Sequence, residues 1–172
     1  MSKDGYILLG SSETTTAGAA HTFTNIPIGY DSLTIRGNIQ SNEAAFNSWV
    51  QMRVNGYSGA DYDTWRNYVD ANGSVIADWR LADNVGDVAR TGGNYLGNWP
   101  AQIETTFFGV SDGNVYTKWI TVFGWSGGLG GYGSAGCIGG VLKNTTPVTS
   151  LSITLNYGLM AYTVTNLYGR RS

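Results

Sequence analysis

Gly124-Trp125-Ser126-Gly127-Gly128 has the Gly-x-Ser-x-Gly spacing of a nucleophile elbow. That spacing works only between a strand and a helix, with a histidine later in the chain to take the serine proton. The single histidine, His21, lies far upstream, and no helical period follows Ser126. The segment therefore reads as a tight glycine loop. Gly128-Leu129-Gly130-Gly131-Tyr132-Gly133 satisfies Gly-x-Gly-x-x-Gly. A dinucleotide site needs a helix N-terminus directly after it to meet the pyrophosphate, and Ser134-Ala135-Gly136-Cys137 is a poor helix start. His21 alone cannot hold a transition metal, which needs several N or S donors, and reads as a strand-edge residue. Cys137 has no neighbouring Lys, Arg or His to lower its pKa and reads as a buried, inert thiol.

The acids offer two further chemistries. Asp61, Asp63, Asp70, Asp78, Asp83 and Asp87 make up half of the acidic residues. Calcium wants six to eight oxygens converging on one point. No EF-hand spacing is present, and Arg66, Arg80 and Arg90 are interspersed to neutralise the charge, so solvated turns are the expectation. The glutamates Glu13, Glu43 and Glu104 fall in different segments. A glycosidase would need two carboxyls about 5 to 9.5 Å apart. No nucleophile, base and orienter assemble from these residues. The expectation is a non-enzymatic protein with no cofactor and no metal.

The six tryptophans, Trp49, Trp65, Trp79, Trp99, Trp119 and Trp125, fill a core or an interface, or stack on sugar faces. Trp119 sits in a strand pattern and is assigned to the core or a groove. Trp99 and Trp125 fall in loop-like stretches and are expected to be exposed. With Tyr132 and Tyr6, they are the candidate interface or glycan contacts.

These residues have to be positioned by strands. No segment has a helical period; apolar residues alternate or form short runs bounded by Gly, Asn, Asp and Pro. Strands are expected at Tyr6 to Leu9, Thr22 to Thr24, Ser32 to Ile39, Ser48 to Val54 and Tyr62 to Val69. Others are expected at Val75 to Trp79, Gln102 to Val110, Val115 to Phe123, Ala135 to Val141, Thr149 to Leu155 and Tyr162 to Tyr168. In the 115–123 strand, Tyr116, Lys118 and Ile120 should face away from Thr117, Trp119 and Thr121. Asn55-Gly56, Asn72-Gly73 and Ser111 to Asn114 are turn signals. Residues 82–99 read as a long surface loop. The pattern predicts one all-β domain over residues 1–172, an antiparallel, jelly-roll-like β-sandwich.

Composition narrows the partners. Hydrophobic residues make up 42% and charged residues 13%, against about 25% charge in an average domain. A surface made polar by Ser, Thr, Asn and Gly suits close packing against protein, because few charges must be desolvated. The net charge is −2, and the scattered Lys and Arg residues make no basic footprint for nucleic acid. No stretch reaches the ~20 apolar residues of a membrane helix. The opening apolar run is too short for a signal peptide, and the chain is expected to be made soluble and not exported.

The two ends carry a resemblance. Tyr6-Ile-Leu-Leu-Gly-Ser-Ser-Glu-Thr-Thr-Thr-Ala-Gly leads into Phe23-Thr-Asn-Ile-Pro-Ile-Gly-Tyr-Asp-Ser-Leu-Thr-Ile-Arg-Gly, and the chain closes on Leu167-Tyr168-Gly169. The Val54-Asn55-Gly56 turn followed by Tyr62 fits the same pattern. This is similar to a group of jelly-roll-like virion proteins of tailed bacteriophages, and covers roughly the first 70 and the last 20 residues. The resemblance implies a capsid decoration (cement) protein, a head fibre or a tail attachment, and carries no catalytic residues. The leading expectation is a decoration protein, made in the host cytoplasm and seated on the virion surface as a homotrimer on the major capsid protein. The alternative is a host-recognition module that binds surface glycan. The arm Met1 to Gly5, the tail Arg170 to Ser172, the first strand and the 82–99 loop are expected to make capsid or inter-subunit contacts.

Overall fold

Where alternation is sustained, the backbone is extended. The structure, a computed structural model, describes residues 5–15, 17–18, 20–42, 47–70, 72–92, 100–126, 133–155, 158–159 and 163–171. Those residues form twelve strands and no helix: β1 (Tyr6–Glu13), β2 (His21–Phe23), β3 (Ser32–Ile39), β4 (Asn47–Val54), β5 (Tyr62–Val69), β6 (Val75–Asp83), β7 (Gly86–Gly92), β8 (Ala101–Phe108), β9 (Thr117–Ser126), β10 (Gly133–Leu142), β11 (Leu151–Thr154) and β12 (Val164–Arg170). One sheet has eight strands in the order β1-β12-β3-β8-β9-β10-β5-β6. The other has four in the order β2-β11-β4-β7. Every pairing is antiparallel. The two sheets pack face to face as a jelly-roll-like sandwich, the architecture expected from the alternation.

The inner faces make the core. On β9 the inward positions Thr117, Trp119, Thr121, Phe123 and Trp125 are buried, and the residues between them are mostly exposed. Ile35, Met52, Phe107, Ile138, Ile153 and Leu167 fill the space between the sheets. Two glycines make room for the Trp119 ring. A Cβ on Gly86 would stand 2.9 Å from it, and one on Gly140 only 2.2 Å. Small residues in these strands are thus imposed by the bulk of one indole.

The asparagine-glycine signals are turns, but they do different jobs. Asn55 (φ 52°) and Gly56 (φ 67°) both adopt the left-handed conformation, and Tyr57 N–H closes the turn on the Val54 carbonyl. This is a tight primed turn, yet it passes the chain from β4 in one sheet to β5 in the other. The Asn55 side chain also accepts from the amides of Thr149 and Ser150. The turn containing Gly73 joins β5 and β6 as a true hairpin.

The 82–99 stretch is not a loop throughout. It contains β7, whose Gly86, Asp87, Val88, Ala89, Thr91 and Gly92 are all buried. The strand pairs with β4 and packs against β9 and β10 of the opposite sheet. Its buried positions include glycine, an aspartate and a threonine, so burial leaves no apolar alternation to read. Residues 93–99 of that stretch lie outside the described residues, as do residues 1–4 of the arm, Ser172 and Tyr162. The other strands match the expected ones with shifts of a few residues at most ends; β1 runs on to Glu13 and β6 to Asp83.

Candidate functional site

The outer face of the eight-stranded sheet spans twice as many strands as that of the four-stranded sheet. Strand register sets its side chains in rows. One row crosses all eight strands: Leu8, Tyr168, Thr34 and Thr106, then Ile120, Gly139, Trp65 and Trp79. The row beside it runs Arg36, Glu104, Val122, Cys137, Asn67 and Ala77. Gly124, which has no side chain, leaves this part of the face low. A Cβ on Gly124 would meet only the Ala135 Cβ, at 3.7 Å. The hollow is an open groove of about 790 Å³ lined by Arg36, Gln102, Glu104, Thr106, Ile120 and Val122.

The groove is apolar along one side. Ile120 is 47% exposed and Val122 64%, and among the described residues no strand lies over them. On the other side Arg36 Nε and Nη2 donate to the two Glu104 carboxylate oxygens, both at 3.1 Å. That bidentate pair fixes a planar ion pair on the surface. The bond to Glu104 raises the Arg36 pKa above its ordinary value, and the guanidinium also lies 4.9 Å over the Tyr6 ring. The two charges therefore neutralise one another and leave a polar but uncharged rim. Beyond the hollow, Trp65 and Trp79 meet at 6.4 Å between ring centroids, with Trp79 70% exposed. Such a face can hold a flat apolar surface or a ring; at the groove, the Arg36 and Glu104 charges are already committed to each other.

The expected contact residues are divided by the fold. Tyr6 stands exposed on β1 at the rim of this face. Trp125 does not: it belongs to β9, faces inward and is buried, because β9 continues its alternation through Gly124 to Ser126. Its glycine-rich neighbourhood suggested a loop, but Gly124 pairs with Ala135 of β10 and Trp125 with Ser134. Trp99, Tyr132 and the glycines 127–128 lie outside the described residues. Trp79 was not singled out as exposed, although Val75, Ala77, Trp79 and Leu81 alternate on the outward side of β6. Alternation alone could not tell which face of a sheet edge would be covered.

The aspartates are drawn to cations. Asp63 accepts from Lys143 Nζ at 2.6 Å, which holds its carboxyl below the usual range. Asp78 pairs with Arg66, and Asp83 with Arg80. Asp87, with its side chain 1% exposed, accepts from Arg66 at 3.3 Å and Arg80 at 3.1 Å. Burial pushes the Asp87 carboxyl up, against the pull of those arginines. Arg90 instead lies 5.2 Å over Trp49 and 5.0 Å over Tyr68. Among the described residues, no three His, Cys, Asp or Glu side chains gather to hold a metal.

His21 is on the edge strand β2, as expected of a strand-edge residue, but it is only 1% exposed. Its Nε2 and Nδ1 lie 2.6 Å from the hydroxyls of Thr14 and Thr165. A neutral imidazole satisfies both, giving at one nitrogen and accepting at the other. Burial lowers its pKa. Cys137 is half-buried on the outer face rather than fully buried, and burial pushes its thiol up.

No family model and no curated protein matches the chain. Among solved structures, the crystal structure of Scytalido-glutamic peptidase with a peptide-based transition-state analogue aligns at 9% identity and a TM-score of 0.28. The alignment covers 92% of this chain, which spans 66% of the length of that one. An overlap so loose transfers no chemistry, and the function has to be argued from the face itself.

Proposed function

We propose that this chain is a structural protein of a tailed-phage virion, a decoration protein that seats the outer face of its eight-stranded sheet on the assembled capsid. The observation that carries this reading is the uncovered apolar character of that face. Phe108, Ile120, Val122, Val75 and Trp79 are 46%, 47%, 64%, 73% and 70% exposed on it. Monomeric proteins rarely leave large contiguous apolar patches bare. The resemblance of both chain ends to virion proteins supplies the phage context. The low charge agrees, since few groups would be desolvated on seating. A protein that binds the assembled lattice and not loose subunits stabilises the shell by mass action, by about 2.7 kcal/mol at a hundredfold excess over Kd. The reading assigns no catalysis and no cofactor: the imidazole is buried between two threonines, the thiol is pushed up, and Glu104 is held by Arg36.

A second reading is favoured by the groove. The apolar floor and the planar Arg36–Glu104 pair are a surface on which a sugar ring can rest and hydrogen-bond, and the exposed Trp79 indole, beyond the groove, offers a stacking surface for a further ring. On this reading the chain binds host glycan from a tail or head fibre.

Purified protein added to capsids stripped of it separates the two. Decoration predicts saturable co-sedimentation and restored survival on heating, both lost in Val122→Asp, which puts a charge into the face. Absence of capsid binding, together with adsorption to host cells that free glycan competes away, would replace decoration by host recognition.

A further inference from the structure

We propose that β6 is an assembly edge, and that it pairs antiparallel with β6 of a second copy of this chain about a two-fold axis at Trp79. A sheet edge is a row of free backbone donors and acceptors, and folded proteins blunt such edges. Three of the four edges here are short, covered or broken in mid-strand. β1 carries a register break between Leu8 and Gly10. β2 is three residues long, with Pro27 soon after it. β7 is buried against β9 and β10. β6 is nine residues long, with no proline, lysine or glycine, and among the described residues no strand lies beyond it. Its register with β5 is regular from Val75 to Arg80 and bulges at Leu81 and Ala82, where Ala82 takes φ 55°. Its outward side chains Val75, Trp79 and Leu81 are 73%, 70% and 67% exposed.

The sequence of the strand selects a second copy as occupant, and also the register. Val75-Ile-Ala-Asp-Trp-Arg-Leu-Ala-Asp83, paired with itself around Trp79, sets Asp78 opposite Arg80 of the other copy, twice by symmetry. Ala77 then faces Leu81, and the two indoles meet at the axis. Opposite charges across an antiparallel pair are favourable, and like charges are not. A register centred on Asp78 or on Arg80 would set each against itself. Asp78 and Arg80 keep 40% and 36% side-chain exposure while bound to Arg66, Asp83 and Asp87 within their own chain. They therefore retain an open side for the other copy. The contact is isologous and closes at two copies, so it stands in place of the three-fold assembly expected from the sequence. It joins two eight-stranded sheets edge to edge and makes their outer faces continuous.

Sedimentation velocity on the full chain reads the assembly directly. The expected mass is twice 18.4 kDa. Trp79→Lys, which places two ammonium groups at the axis, should return the species to one copy with its far-UV strand signal unchanged. The register is read by oxidative cross-linking in a Cys137→Ser background. Directly opposed residues have Cα atoms about 4.5 to 5.5 Å apart, within the reach of a disulfide. Trp79→Cys should therefore cross-link to itself, whereas Ala77→Cys should not, because two copies of that position are offset by four residues, about 13 Å. A wild-type protein that stays single at 100 µM overturns the proposal. So does a trimer, an assembly that Trp79→Lys leaves intact, or a cross-link at position 77 and not at 79.

Discussion

Removing the Asp87 carboxylate tests whether the unpredicted strand β7 is held by charge. Asp87→Ala deletes a side chain that is 1% exposed and sits between two guanidiniums, Arg66 Nη1 at 3.3 Å and Arg80 Nη1 at 3.1 Å, with Gln51 Nε2 at 3.4 Å. Breaking a buried ion pair from one side typically costs about 3 to 5 kcal/mol, because a charge is left without its partner. Here neither arginine is abandoned. Arg66 keeps Asp78 and lies 4.5 Å over the Trp49 ring, and Arg80 keeps Asp83. The loss should therefore fall at the lower end, about 3 kcal/mol, which for a domain of this size lowers Tm by about 6 to 12 °C. The same geometry predicts coupling. Asp78→Asn alone should cost about 1 kcal/mol, since Asp78 is 40% exposed and Asp87 remains. Both together strip Arg66 of every carboxylate it touches, so the double variant should exceed the sum by about 1 kcal/mol or more. Urea unfolding of the four proteins at one pH and salt concentration measures the cycle. A loss below 1 kcal/mol for Asp87→Ala, or strict additivity, would refute the view that the arginines share one buried charge network.

Other expectations follow from neighbouring features. Burial holds the His21 pKa below its unfolded value of 6.5, so unfolding takes up a proton beneath that pH. The contribution of neutral His21 is full above pH 6.5 and declines as pH falls further. A stability-against-pH curve should show that slope in the wild type and lose it in His21→Gln. Gly140→Ala would drive a methyl to 2.2 Å from the Trp119 ring and 2.6 Å from the Asp63 carbonyl. It should cost about 1 to 3 kcal/mol, whereas Gly124→Ala, with 3.7 Å of room, should stay within about 0.5 kcal/mol in the same melt.

The sequence was informative where one face of a strand is wet. The limits of β5 coincide with the alternating segment, and on β9 the division of Lys118 and Ile120 from Trp119 and Thr121 is the one the alternation implied. It was uninformative where both faces are covered or where polar groups are satisfied inside. β7 spends an aspartate on two arginines, and composition cannot distinguish that from a solvated turn. The segment around Trp125 failed for the opposite reason: glycine marks loops, yet here glycines let β9 and β10 pair where bulk would clash. Asn55-Gly56 shows a third limit. Its backbone was legible, but not that the strands on either side belong to different sheets, since that depends on contacts far along the chain.

The exposed face was only half legible for a related reason. Alternation on β6 shows that Val75, Ala77, Trp79 and Leu81 share a side, but the strand's position at a sheet edge decides whether that side is covered. In this fold the covering sheet has four strands and the covered one eight, so the sandwich cannot enclose the wider sheet even on its inner side. The polar interior lies where the mismatch falls. Asp78, Arg80 and Arg66 occupy the inward side of β5 and β6 at the margin of the smaller sheet, where apolar side chains would be half wet and charges can still reach water. The outer side of the same hairpin carries valine, tryptophan and leucine, facing solvent. Inward charges are one way a sheet edge is protected, but the outward valine, tryptophan and leucine are left facing solvent. That apolar side is what a strand would carry if its outer face were meant to be covered by another molecule.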